Sequence, residues 1–406
     1  MNTQFKNMLV LLGNSIHPCF LQELEEPDWA DIMKQASYHR ILPLVTEAAL
    51  RYDSFKSFPE KDFYIQESVK SAVEQYKKTA DFCRVYKEFS KENIFPVVVK
   101  GIICRSLYGE LGEHRTSGDE DILVEEKDFK KIDEILRSLG YLPDERYYTE
   151  DIGNAVFEIP YTSLNGDFRI EVHFTPLGRN SEMFVNMNSY FSSVFTEFRE
   201  EVANSTVFRT LNHTEHFLFL IFHALKHFIF SGVGIRQILD ILLYAEKYGD
   251  EIDYEYIKTV LENFNALSFF GDIIAVGNEY LGFALDFDCI PRFKELLLKD
   301  IADSGIYGKG SPSRKTASKI VSAALEDGGK MVKYGKTGLL LNTVFPSKSH
   351  FKSSNTKAET GFLPGAYIAR IASFIKKTDE YKNGAVKEGL EISRQRLKLL
   401  EKYKLL

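Results

Sequence analysis

With 406 residues, 44% hydrophobic and 27% charged, the chain has the composition of a folded protein long enough for two or three domains. Its formal net charge of −7 has the wrong sign for a general nucleic-acid binder, so nucleic acid is a partner left open but not favoured, and any phosphate contact has to be local. Cys19, Cys83, Cys104 and Cys289 lack the paired spacing of a zinc or redox site and read as reduced thiols of a cytoplasmic protein. The Met8–Leu12 run has no basic flank or cleavage signal, and Phe217–Phe230 is too short to cross a bilayer, so neither secretion nor a membrane span is expected.

From the start to about residue 93 the pattern is helical. Apolar residues recur at three and four from Trp29 to Ala36, and Pro43 marks a kink or a new helix start. A longer helix from about Ile65 to Asn93 carries Val69, Val73, Tyr76, Ala80 and Cys83 down one side, the stripe expected to face a core. Phe95–Val99 then reads as a short strand running into Lys100-Gly101 and a helical turn, whose first N–H groups favour an anion such as phosphate. A loop over 109–118 leads to a strand from Asp119 to Val124, and Asp128 is placed to cap a helix that Gly140 ends.

Ala155–Ile159 reads as a strand, and Asn165-Gly166 as the turn into the next. In that next strand Phe168, Ile170, Val172 and Phe174 face one way, while Asp167, Arg169, Glu171 and His173 face the other. The second row is either a solvated face or one wall of a cleft. From about Glu215 the chain turns helical, with Ser231-Gly232-Val233-Gly234 as a break and further helices to about Leu298. Residues 303–319 and 335–361 read as loops, and Ala385–Leu406 as a basic amphipathic helix, solvated or in contact with a partner.

Asp119 and Asp121 carry the clearest chemical signal. Two residues apart on a strand, they share a face at a separation of roughly 7 Å, which suits a pair of divalent ions about 3.5–4 Å apart. The competing reading is a turn followed by an exposed strand start. Gly335-Lys336-Thr337 is not a phosphate loop, since Gly329 stands at the wrong spacing and no strand precedes it. His223 and His227 lack the glutamate and third ligand of a zinc site, which leaves structural or substrate-contacting histidines. Arg236 and Asp240, four apart on a helix, can pair with each other, or Arg236 can reach a ligand phosphate.

Lys100-Gly101, then Arg115, then Gly118-Asp119-Glu120-Asp121-Ile122-Leu123-Val124, then Ile170-Glu171-Val172-His173 resembles the uncharacterised nucleotidyltransferase family of the polymerase-β-like superfamily. Trp29, Ala36, His39 and Pro43 resemble that family's N-terminal segment, and Leu363-Pro364 with Arg370 its end. The resemblance implies an α+β fold, a small mixed β-sheet core with helices, flanked by N- and C-terminal helical regions. The expected division is a helical cap at 1–93, the nucleotidyltransferase core at 94–210, a helical domain at 211–300 and a loop-rich, helical region at 301–406.

It also implies transfer of a nucleoside monophosphate from an NTP, ATP being the first candidate, to an unidentified acceptor with release of pyrophosphate. Asp119, Asp121 and Glu171 would be the catalytic carboxylates that hold two magnesium ions, with manganese as the alternative. Lys100, Gly101, Arg115, Ser117, Gly118, His173, His223, Arg236 and Asp240 would surround the nucleotide and substrate. Two departures stand out. Glu120 occupies a position the family keeps apolar, on the strand face of Ile122 and Val124, where an ionised carboxylate is costly. Glu171 replaces the commoner aspartate. The opposing reading is a nucleotide-binding or interaction module with the same fold and no turnover.

Overall fold

The computed structural model describes residues 2–19, 22–149, 157–178, 181–305, 311–326 and 385–405. Gly335-Lys336-Thr337, Leu363-Pro364 and Arg370 lie outside them.

Three helices, α1 (Thr3–Ile16), α2 (Trp29–Tyr38) and α3 (Leu42–Ala49), lead through the short α4 (Asp53–Lys56) into the long α5 (Lys61–Lys91). Pro43 opens a new helix rather than kinking one, because a proline in the first turn gives up an N–H that has no intrahelical partner. Along α5 the buried face differs from the expected stripe. Val69, Val73 and Tyr76 are 57%, 46% and 61% exposed, whereas Gln75, Thr79, Phe82, Tyr86 and Phe89 are buried. Polar contacts set the rotation: the Gln75 side chain accepts from the Ser117 N–H at 2.6 Å, and the Thr79 hydroxyl donates to Glu113 at 3.0 Å.

The strands β1 (Val97–Val98), β2 (Asp119–Leu123), β3 (Tyr141–Pro143), β4 (Glu158–Ser163), β5 (Arg169–His173), β6 (Phe198–Ala203) and β7 (Thr206–Leu211) form one mixed sheet in the order β3-β4-β5-β2-β1-β7-β6. β2 runs parallel to β5 and antiparallel to β1. The helices α6 (Ile102–Arg105), α7 (Phe129–Ser138) and α8 (Glu182–Asn188) lie in its connections. β4 begins later than the sequence suggests and continues through Pro160, whose carbonyl still accepts from the Asp144 N–H at 2.8 Å although its nitrogen donates nothing. Asp128 stands at the start of α7 without a side-chain cap bond.

After the sheet come α9 (His213–Phe230), α10 (Ile235–Tyr248), α11 (Tyr254–Asn263), α12 (Leu267–Tyr280), α13 (Lys294–Ser304), α14 (Pro312–Glu326) and α15 (Ala385–Lys402). One apolar core joins α5 and α7 to a sheet face through Phe82, Phe89, Ile122, Ile132 and Ile170. A second, larger one joins α1–α3 to α9–α13 and to Val97 and Leu123 on the opposite face. Helix α15 is not a solvated terminal helix. Leu397, Leu400 and Tyr403 are buried, and Arg396, 3% exposed, binds Asp300 at 2.6 Å, since a buried guanidinium requires an anion. No helix among the described residues is long and apolar enough to cross a membrane.

Candidate active site

The parallel pairing of β2 with β5 builds the acidic centre. Asp119, Asp121 and Leu123 point to the face opposite Glu120 and Ile122, and the register sets Asp121 opposite Glu171 and Leu123 opposite His173. The cluster that forms is Asp121, Glu171 and His173, each offering one ligand atom, all within 4.8 Å of one another. His173 Nε2 lies 3.0 Å from Asp121 Oδ1 and 3.7 Å from Glu171 Oε2, and Glu158 Oε2 stands 3.6 Å behind its Nδ1. Asp119 lines the adjoining cleft but stands outside this tight group.

That cleft is lined by Lys100, Gly101, Arg115, Ser117, Asp119, Asp121, Leu220, His223, Arg236, Gln237 and Asp240. Lys100 Nζ is 2.7 Å from Asp121 Oδ2 and 3.1 Å from His223 Nε2. Burial alone would raise the Asp121 pKa, but the Lys100 ammonium and His173 outweigh it and hold the carboxyl well below the usual range. Burial likewise works against the His173 cation, yet its bonds to Asp121 and Glu171 win and raise the pKa to about 9. His223 is held well below its ordinary value by burial, then by Lys100 and His227, and is therefore neutral at pH 7. It is not part of a metal cluster among the described residues. His227 Nε2 lies 3.2 Å from it.

Arg236 and Asp240 do not pair with each other. Asp240 accepts from Arg115 through both oxygens, at 2.8 and 2.5 Å, and from the Tyr108 hydroxyl at 2.8 Å, while Arg236 donates to the Thr116 carbonyl. Both helix α10 side chains thus hold the 115–117 loop, because a planar guanidinium from that loop fits the carboxylate better than an i,i+4 neighbour. Arg115 Nη1 is buried and makes no hydrogen bond.

Glu120 keeps its place on the buried strand face by pairing. It neither reaches solvent nor shifts the register; it is 0% exposed and bound by Arg105 at 2.5 Å and by the Ile102 N–H at 2.7 Å. Helix α6 therefore gives its first amide to Glu120 rather than to a phosphate. Gly101 is needed for the same reason: its φ is +58°, and a Cβ there would lie 1.7 Å from a Glu120 oxygen. Ser117 is anchored too, its N–H on Gln75 and its hydroxyl accepting from Arg105 at 2.9 Å. A Cβ at Gly118 meets nothing within 4 Å, so no close approach requires that glycine.

The donor set of two carboxylate oxygens and one imidazole nitrogen suits a divalent cation, and its nitrogen favours manganese or another first-row ion more than an all-oxygen set does. Sequence reasoning missed Glu158 and Lys226. Glu158 sits opposite His173 in the β4–β5 hairpin, a pairing that the Asn165-Gly166 turn would have revealed had the strand been carried through Pro160. Lys226 on α9 is driven by burial below its usual pKa, with Glu158 opposing, and no local signal marks it.

A sequence profile described as uncharacterised nucleotidyltransferase matches residues 25–282, well over half of the chain. No curated protein and no solved structure matches it.

Proposed function

The chain belongs to the uncharacterised nucleotidyltransferase family, and we propose that it transfers a nucleoside monophosphate from an NTP, ATP first among candidates, to an acceptor hydroxyl with release of pyrophosphate. The observation that carries this reading is a cleft lined by buried Asp121 with Lys100, Arg115 and Arg236, Glu171 and His173 standing directly beside Asp121. Carboxylates there suit a metal, and the cations suit phosphates. In the proposed division, residues 94–210 carry the carboxylates and 211–300 supply His223, Arg236 and Asp240.

Asp121, Glu171 and His173 would hold a divalent ion, magnesium or manganese, with Asp119 available to a second. Bound there, the metal would offset phosphate charge and lower the pKa of the acceptor hydroxyl. The acceptor oxygen bonds to the α-phosphorus, the bond from that phosphorus to the bridging oxygen breaks, and pyrophosphate leaves with the electron pair. The hydroxyl proton passes to a site carboxylate, Glu171 being the first candidate. Arg115 Nη1, a buried donor with no present partner, is suited to a phosphate oxygen. The cleft as it stands encloses only about 20 Å³, so it has to widen to admit a nucleotide.

Incubation with α-labelled NTP and magnesium tests the reading. Label is expected to appear on an acceptor and to fall on the order of a hundredfold or more in Asp119→Ala plus Asp121→Ala; undiminished labelling in that variant sinks it. The second reading, nucleotide binding without turnover, is favoured by the Lys100–Asp121 contact, which already neutralises the central carboxylate. Thermal stabilisation by NTP only with magnesium supports the enzyme, whereas metal-independent stabilisation supports the module.

A further inference from the structure

Beside the cleft lies a second cavity of about 470 Å³, set between α5 and the turn that joins α2 to α3. Its size falls within the range of small-molecule sites, roughly 300–1,000 Å³. The two cavities share Ser117, which stands two residues before Asp119, so at most about 7 Å of chain separates them. Thr116 lines the second cavity while its carbonyl accepts from Arg236, a residue of the first. The partition between them is therefore one short loop.

The lining states what would fit. Glu67, Glu74, Arg40 and Lys78 line it, two negative and two positive groups, so the cavity has no charge excess to attract a polyanion such as a nucleic-acid end or a phosphorylated sugar. Phe63 and Tyr64 place aromatic surface at its edge, Phe63 being 61% exposed. Carboxylates, three serines and an amide supply both donors and acceptors for hydroxyl groups. Gln75, 1% exposed, binds the Ser117 N–H through its oxygen, yet its amide nitrogen has no hydrogen-bond partner. This buried donor is left over at the partition between the two cavities.

We propose that this cavity is the acceptor subsite, and that the acceptor is a small, uncharged or zwitterionic polyhydroxylated molecule presenting one hydroxyl past Ser117 to the α-phosphorus. The inference rests on the transferase reading above. In the transfer, that hydroxyl oxygen gains the bond to phosphorus, its proton goes to a site carboxylate, and pyrophosphate departs from the NTP.

The test plugs the cavity without touching the cleft. The full chain carrying Ser71→Cys is treated with a bulky maleimide, beside wild type treated identically because Cys19 is exposed. Both are given α-labelled ATP, magnesium and the dialysable small-molecule pool of a cell extract, split by ion exchange into unretained, anionic and cationic fractions, with RNA and protein as separate arms. The expected result is labelled product from the unretained fraction with wild type, reduced about tenfold or more in the plugged variant, while thermal stabilisation by ATP and magnesium is unchanged. Product that persists after plugging overturns the acceptor subsite alone. Loss of product together with loss of nucleotide stabilisation overturns the separateness of the two cavities. Product only from the anionic, cationic, RNA or protein arm overturns the acceptor class, and no product with wild type in any arm removes the transferase reading and this one with it.

Discussion

Glu120 shows how a residue that breaks a pattern can be part of the scaffold. Strand alternation places it with Ile122 and Val124, and nothing nearby in sequence announces how a charge survives there. Arg105, fifteen residues earlier, supplies the partner, and the Ile102 amide the second bond. An intact buried pair of this kind adds little net stability, but losing one half leaves a charge stranded. Replacing Gly101 by alanine would force the Glu120 carboxylate out of its bonds and hold a Cβ at positive φ. Gly101→Ala is expected to destabilise the fold by about 3 kcal/mol or more, read from urea denaturation; a change within about 0.5 kcal/mol would refute this account. The same long reach explains Asp240, whose partners Arg115 and Tyr108 lie more than a hundred positions away, so that the nearby Arg236 looked like the natural mate.

At the scale of the element, helix α5 departed from its apolar pattern and helix α15 from its basic one. On α5 the choice of buried face followed the polar side chains Gln75 and Thr79, which answer the 113–117 loop, and left Val69, Val73 and Tyr76 outside. Val73→Ser should therefore leave stability within about 0.5 kcal/mol of wild type, while Phe89→Ala, in the sheet core, should cost about 3–5 kcal/mol; paired thermal melts decide between this and the opposite ranking. On α15 the basic residues looked like a surface feature, yet Arg396 and Arg314 share buried Asp300. Asp300→Asn leaves two buried guanidiniums without their anion and should cost about 3–5 kcal/mol. Faster protease cleavage at α15 would report the loosening, and an unchanged melt with unchanged cleavage would contradict it.

Across the whole molecule, buried histidines couple stability to pH. His39 is 1% exposed, and burial lowers its pKa to about 4; His216, 0% exposed against the Val99 carbonyl, is lowered by burial to about 3. Above pH about 6.5 both are neutral folded or unfolded. Below it the unfolded chain takes protons that the folded chain refuses, so stability falls as pH drops from about 6.5 towards 4, by about 3 kcal/mol for His39 alone. Urea midpoints at pH 7 and pH 4.5 should differ less in His39→Gln than in wild type; equal differences would remove His39 from the account. Local features are legible from the residues without the fold: the alternation that puts Asp119 with Asp121 and Glu171 with His173, the glycine breaks around α10, and the motif spacing that marks the family. These follow from backbone periodicity, which needs only neighbours. Packing added that His173 joins Asp121 and Glu171 while Asp119 stands apart, that Lys100 lies on Asp121, and that Ser117 lines two cavities. Those contacts depend on which buried charges and amides find partners when strands and helices distant in sequence pack together, and no local period encodes that.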